Sequence, residues 1–244
     1  MEQKYDTTVA NFWNRESQIW SGKYRGKTSY FYRCRTFHKF LVFTQLEQST
    51  ILDYGCGTGD VSFPMLQDGH SVMGVDIAAE MVDKARLRAD QNGFSSRSVY
   101  RYLDATALDE IAARKFHVII CSSVLEYVDD DMLLVRMFHG VLKDGGYLLV
   151  SVPDRRSLFC RLDKWIYANK RIMPRFVPVR KLDYLEIQRR QYDISAFIKS
   201  IERTGFKLTA KKYNTIKLQR GVIMEKLSNV PGLGMLALMM FQKV

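Results

Sequence analysis

Only four of the 244 residues are cysteines, Cys34, Cys56, Cys121 and Cys160, far apart and with no C-x-x-C pair among them. That excludes a disulfide framework for a chain of this size and leaves four reduced thiols. Long apolar runs are missing too: the most apolar stretch, Gly234 to Gln242, is too short to span a bilayer. The first ten residues carry charges and no apolar h-region, so no secretory leader is expected and a cytoplasmic location is. The four histidines, at 38, 70, 117 and 139, stand in no ligand spacing with cysteines or carboxylates, and no metal site is expected. His139 falls on an expected helix and reads as structural. Internal repeats and low-complexity tracts are absent. With 47% hydrophobic, 12% aromatic and 26% charged residues, the chain has the composition of a folded globular protein and not of a disordered or collagen-like one.

What is abundant is positive charge, a formal +11, and it is unevenly spread. Between Arg155 and Arg190 eleven basic residues face three acidic ones, interleaved with Leu158, Phe159, Trp165, Ile166 and Tyr167. Such a patch concentrates anionic partners, whether nucleic acid, acidic lipid or a small acidic substrate.

The punctuation is that of alternating strands and helices. Strands are expected at Thr50–Tyr54, Ser71–Val75, Ser98–Leu103, Phe116–Cys121 and Gly146–Val152, the last entered through a turn at Lys143–Gly146. Helices are expected at Asp60–Gln67, Ala78–Asn92 and Asp130–Leu142. Repetition of strand then helix predicts an α/β fold, a doubly wound and mostly parallel sheet. A helix at Asp193–Thr204 and strands at Phe206–Tyr213 and Met235–Lys243, pairing as a hairpin with a long connection, bring the sheet to seven strands. Two segments lie outside the pattern. Residues 1–48 are aromatic-rich and read as a helical cover over one edge of the sheet, ahead of a main domain at 49–244. Within that domain, 155–190 reads as a substrate-lid insertion after the fifth strand.

The centre of the sequence is Ile51-Leu52-Asp53-Tyr54-Gly55-Cys56-Gly57-Thr58-Gly59-Asp60, directly after an expected strand and before an expected helix. Glycines at alternate positions let backbone N–H groups approach a ligand at a helix N-terminus. The third glycine of a dinucleotide fingerprint would fall at Asp60, and the Gly-Lys-Ser/Thr of a Walker loop is absent. Asp53 at the strand end would repel a pyrophosphate and attract an ammonium. S-adenosylmethionine fits that chemistry, with an ammonium, a sulfonium, a ribose diol and an adenine. Asp76 closes the second strand about 20 residues beyond the first glycine, where an acidic residue accepts from a ribose diol; its alternative is capping the next helix. Asp104-Ala105 lies on the same rim, able to meet the adenine amino group or, for Asp104, to cap a helix.

The motifs D-Y-G-C-G-T-G, G-V-D-I-A-A-E-M-V-D-K-A, L-D-A, F-H-V-I-I-C-S-S-V-L-E-Y-V and L-K-D-G-G-Y-L-L-V-S-V-P-D, in this order and spacing, resemble the class I S-adenosylmethionine-dependent methyltransferases. Within them the chain is most similar to the small-molecule branch that includes the ubiquinone and menaquinone biosynthesis methyltransferases. The likeness is close over Thr50–Asp154 and loose over Gln191–Phe206. It implies a Rossmann-like fold in which Gly55, Cys56, Gly57 and Gly59 line the methionyl part of the cofactor and Asp53 orients its amine. Asp76 and Ile77 would hold ribose and adenine, Asp104 and Ala105 the adenine ring, and Ser122 the methionyl group. Arg35 is the candidate for the cofactor carboxylate, or else a solvated helix charge. Trp20 and Tyr24 form an aromatic lid or simply pack.

Methyl transfer from a sulfonium requires positioning and exclusion of water above all. A general base is needed only where the acceptor must lose a proton. The expected place for one, just past the fourth strand, holds Glu126-Tyr127; related sequences often have His there, and a phenol with a pKa near 10 is a poor base at neutral pH. The acceptor is expected to be a small anionic or amphiphilic molecule. The basic insertion also suits peripheral contact with the inner membrane face, or RNA. Nucleic acid is the lesser expectation, since no RNA-binding module and no N/D-P-P-Y/F motif is present. A binder of S-adenosylmethionine without catalysis is the remaining alternative.

Overall fold

The computed structural model describes residues 7–24, 28–173, 179–214 and 232–244. The start of the N-terminal cover, the middle of the basic insertion and the long connection before the last strand lie outside the described residues. One sheet contains β1 (Thr50–Tyr54), β2 (Ser71–Asp76), β3 (Ser98–Tyr102), β4 (Phe116–Ser122), β5 (Leu142–Pro153), β6 (Phe206–Asn214) and β7 (Leu236–Lys243), in the order β3-β2-β1-β4-β5-β7-β6. β7 runs antiparallel to both β5 and β6, and the other pairings are parallel. The expected hairpin of the last two strands is present, with β7 slotted between β5 and β6.

Alternation along the strands feeds two cores. Leu52, Ile119, Cys121, Leu148, Val150, Met239 and Phe241 face one side of the sheet; Ile51, Val118, Ile120, Leu149, Leu238 and Met240 face the other. Strands covered on both faces are apolar along most of their length, which is how these segments read, with polar residues such as Asp53, Ser122 and Ser151 towards their C-terminal ends. The first core takes α5 (Ala105–Ala112), α6 (Asp131–Val141) and α8 (Ile194–Glu202) through Ile111, Phe138 and Phe197. The second takes α2 (Ser29–Phe43) and α3 (Phe63–Gln67) through Phe37, Phe40, Leu41, Met65 and Leu66. α4 (Ala79–Gln91) packs Val82, Ala85 and Ala89 against Tyr100 and Cys56. Caps set the helix starts: Asp104, Asp130 and Asp193 accept from the N–H of Ala107, Leu133 and Ala196 at 2.8, 2.8 and 3.2 Å.

Several expectations are corrected. The N-terminal cover divides in two: α2 packs on one face of the sheet at its β7–β6 edge, and α1 (Thr7–Trp20) crosses to α4, where the Ser17 hydroxyl donates to Glu80 at 2.8 Å. α3 begins at Phe63 and not Asp60, because the Asp60 carboxylate is taken by the Thr58 hydroxyl and, at 2.5 Å, by Arg88, and Pro64 sets the first turn. The turn at Lys143–Gly146 survives only as an irregularity within β5, where pairing jumps from Phe116↔Leu142 to Val118↔Tyr147. The insertion contains a helix, α7 (Leu158–Ala168), and a 3₁₀ segment (Val179–Glu186). Its flanking arginines are ties within the protein. Arg155 and Arg156 both pair with Asp193, at 3.0 and 2.7 Å, Arg189 with Asp129 at 2.7 Å and Arg190 with Asp131 at 2.9 Å.

Candidate active site

The strand order reverses between β1 and β4, so their following loops diverge and leave a crevice at the C-terminal rim, where open α/β sheets hold ligands. A cavity of about 810 Å³ opens there. Its floor is the glycine loop, with Gly55, Gly57 and Gly59 at φ 75°, 52° and 73°. A Cβ on Gly55 would lie 2.2 Å from Val124 Cγ2, so this glycine is required by positive φ and by the close approach of the loop after β4. The N–H groups of Gly55 and Cys56 both donate to the Val75 carbonyl, at 2.8 and 3.0 Å, pinning the loop to β2.

Asp76 ties that loop to the head of α4. Its Oδ2 accepts from the Gly57 N–H at 2.8 Å and its Oδ1 from the Ala78 N–H at 2.9 Å. It lines the cavity, and burial raises its pKa against the opposing pull of these N–H groups. Each carboxylate oxygen keeps a further lone pair, so the helix-start role and a diol-binding role are compatible. Cys56, Ile77 and Ser122 also line the cavity. Asp53 does not: it lies fully buried beneath the loop beside the Ser62 hydroxyl, and desolvation, opposed by Ser62 and aided by the nearby Asp76 and Asp60 charges, pushes its pKa to about 7. Gly59 is likewise behind the lining, against the Tyr100 hydroxyl.

For two candidates the geometry favours the second of the alternatives, the solvated charge for Arg35 and the helix cap for Asp104. Arg35 is exposed on α2, whereas Arg33, 200° around the helix, is buried in the cavity wall. Its Nη1 donates to Ser123 Oγ at 3.0 Å and Ser122 Oγ at 3.4 Å, its guanidinium lies 4.8 Å from the Tyr30 ring centre, and its Nε has no partner. Helical spacing could have found it, since Arg33 shares a face with Phe37, Phe40 and Leu41 and Arg35 does not. Asp104 and Ala105 are exposed, and Asp104 acts as the cap of α5; Leu103 and Leu108 line the cavity in their stead.

Over the floor stands an aromatic wall. Trp13, Trp20 and Tyr24 line the cavity, and the Trp20 Nε1 lies 3.2 Å from where a Cβ on Gly57 would be. Trp20 meets Trp13 edge-on at 5.0 Å and Tyr30 at 5.5 Å, and Trp13 meets Tyr127 at 5.6 Å. Trp20 and Tyr24 thus pack among these rings while lining the cavity. Tyr127 lines the cavity, its phenol pushed far up by burial. Glu126 lies behind it, buried, with Oε2 unpartnered and a pKa raised by desolvation to about 7, partly offset by Arg33. Arg189 closes the mouth, its N–H donating to the Glu126 carbonyl at 2.9 Å and its Nε to the Tyr127 carbonyl at 2.8 Å.

Comparison with known proteins bears on this geometry. A family described as "Methyltransferase domain" matches residues 25–211. The chain belongs to this family. The ubiquinone biosynthesis O-methyltransferase of Pseudomonas paraeruginosa is 34% identical over 110 residues, 45% of this chain and 47% of that protein. That of Ruegeria pomeroyi is 38% identical over 105 residues, 43% and 41% of the two chains. The aligned part thus spans less than half the length of these relatives. Across the whole fold, the magnesium protoporphyrin IX methyltransferase of Synechocystis, solved with bound S-adenosylhomocysteine, superposes with a TM-score of 0.71 at 17% identity, covering 98% of this chain and 99% of that one. The sheet is that of the class I methyltransferases, and S-adenosylmethionine is the cofactor to weigh against the cavity.

Proposed function

We propose that the chain transfers the methyl group of S-adenosylmethionine to a small amphiphilic acceptor. The observation that carries this reading is that the glycine loop, Asp76 and the buried Arg33 face one cavity whose opposite wall is aromatic. One unpartnered polar atom fits the cofactor's zwitterionic end: Arg33 Nε is an unused cationic donor in the cavity wall, whereas Asp53 lies beneath the loop and reaches the ammonium only through its charge. On this reading Arg33 takes the carboxylate, Gly55, Cys56 and Gly57 offer backbone to the methionyl chain beside Ser122, and the charge of Asp53 favours the ammonium. Asp76 accepts from the ribose diol, while Ile77 and Leu103 flank the adenine.

When bound, the cofactor supplies a methyl already activated by its sulfonium. The protein's task is then orientation and exclusion of water, which suits Trp13, Trp20, Tyr24 and Tyr127 around the acceptor's side. Tyr127 contributes wall and a phenolic O–H, not a base, since burial holds the phenol protonated. Glu126 sits behind that wall and acts through the position of the loop. The arginines flanking the insertion are occupied by carboxylates, which weakens the case for RNA as acceptor.

Calorimetry should detect binding of S-adenosylmethionine and S-adenosylhomocysteine, weakened by Asp76→Ala. Methyl label from S-adenosylmethionine should pass into an organic-extractable product of a cell extract and survive nuclease. Tight NADH binding without S-adenosylmethionine binding would sink the cofactor reading; label confined to RNA would move the acceptor to nucleic acid, and binding without any transfer would leave a non-catalytic binder.

A further inference from the structure

The insertion's helix α7 is amphipathic in an unusual sense. Its six exposed residues, Leu158, Arg161, Leu162, Lys164, Trp165 and Ala168, are all apolar or basic; none is acidic or neutral-polar. Leu158, Leu162 and Trp165 follow at i, i+4 and i+7, so they form one stripe, 56%, 50% and 58% exposed. Arg161 and Lys164 flank the stripe on one side. Beyond the helix Lys170 is paired with Glu186 at 3.0 Å, and Arg171 and the 75% exposed Ile172 continue the same alternation of cation and hydrocarbon.

The stripe's outward aim is fixed by the helix's other side. Ser157 caps its start, Cys160 is buried with its thiol 3.5 Å from the Met235 carbonyl, and the Leu158 N–H donates to the Gly232 carbonyl at 2.7 Å. On the inner face Asp163 meets the Tyr184 hydroxyl of the 3₁₀ segment at 3.5 Å. The acidic residue of the helix is thus turned inward and the cations outward.

We propose that α7 lies in the headgroup layer of an anionic lipid bilayer, with Leu158, Leu162 and Trp165 entering the acyl boundary and Arg161, Lys164 and Arg171 meeting the lipid charges. Large aliphatic and indole side chains gain free energy by leaving water for hydrocarbon, and cations beside them gain from an anionic surface. Within the stripe only the Trp165 indole offers a ring on which a nucleic-acid base can stack, whereas Leu158 and Leu162 gain only by leaving water, so the stripe fits lipid better than RNA. The surface lies apart from the methyl-transfer cavity and does not depend on that reading. It does stand close to it in the chain, since the 3₁₀ segment leads directly into Arg189 at the cavity mouth.

The test is cosedimentation of the whole protein, without cofactor, on vesicles of phosphatidylcholine alone and of phosphatidylcholine mixed with phosphatidylglycerol. Binding should favour the anionic vesicles and fade as salt shortens the Debye length from about 10 Å to about 3 Å. Arg161→Gln with Lys164→Gln should lower partitioning roughly 30-fold. Leu162→Ser and Trp165→Ser should each lower it roughly tenfold or more with an unchanged far-UV dichroism and melting temperature, so that misfolding is ruled out as the cause. Equal binding to neutral vesicles, no binding at low salt, or binding unaffected by Leu162→Ser and Trp165→Ser would each overturn the proposal. So would displacement from vesicles by single-stranded RNA that these two serine variants bind as tightly as the parent.

Discussion

Arg33 and Glu126 are two buried groups of opposite kind at the back of one cavity, and their environments assign them different tasks. Arg33 is held by the serine hydroxyls of the loop after β4 with one donor left unused, so its loss should be felt by whatever anion fills the cavity. A hydrogen bond between charged groups is worth about 1.5–3 kcal/mol, so Arg33→Ala should weaken S-adenosylmethionine binding roughly 10- to 100-fold by calorimetry. Arg35→Ala, on the exposed side of the same helix, should leave it unchanged; the reverse result would restore the expectation that Arg35 is the carboxylate ligand. Glu126 tells on stability. Its pKa is raised from 4.5 to about 7, so the folded state holds a proton that the unfolded chain releases near 4.5. Its contribution is favourable below that ordinary value and is lost as pH rises towards 7, an effect of roughly 3 kcal/mol at about 1.4 kcal/mol per unit. Glu126→Gln should therefore flatten the fall in denaturant stability between about pH 4.5 and 7 and leave the variant more stable than the parent at pH 8. A parent curve that rises over this window would contradict the burial argument.

At the scale of elements, the strand-to-helix turns carry the design, and each can be tested by what its first residue does. Asp104 ends the β3 connection by capping α5 and lies outside the cavity lining, so Asp104→Ala should cost about 1 kcal/mol of stability as a lost cap and leave cofactor affinity unchanged. A loss of affinity with stability intact would return the residue to the adenine. Gly55 is the opposite case: Gly55→Ala meets both a backbone at positive φ and the Val124 side chain, and pairing it with Val124→Ala should recover only the steric part. The central strands of the parallel half were legible because burial on both faces leaves mostly apolar residues between turn signals, and the Asp residues that cap helices are legible because the cap is a local contact. Where expectation slipped, a side chain had found a tertiary partner. Asp60 bonds Arg88 and does not open α3, and the arginines at 155, 156, 189 and 190 pair with carboxylates of the chain itself. Local sequence carries no sign of which distant carboxylate a cation will meet.

On the scale of the whole molecule, the cavity joins parts of the chain that sequence spacing leaves unrelated. α1, the glycine loop, the loop after β4 and Arg189 all line it, which is why the glycine loop and Asp76 were legible while Arg33, Trp13 and Ser123 were not. Ligand binding should therefore stabilise the assembly as a unit. At a hundred times its dissociation constant a ligand adds about 2.7 kcal/mol, which for a domain of this size raises Tm by roughly 5–10 °C. Of the three tryptophans, Trp13 and Trp20 line the cavity and Trp165 lies exposed on α7. S-adenosylhomocysteine should thus change the indole fluorescence of the parent and of Trp165→Phe alike, and the change should shrink in Trp20→Phe, whose indole stands over Gly57. If the response instead follows Trp165, or if Tm rises with no fluorescence change, then α1 is not the cover of the cofactor site, and the aromatic wall is packing that the ligand never touches.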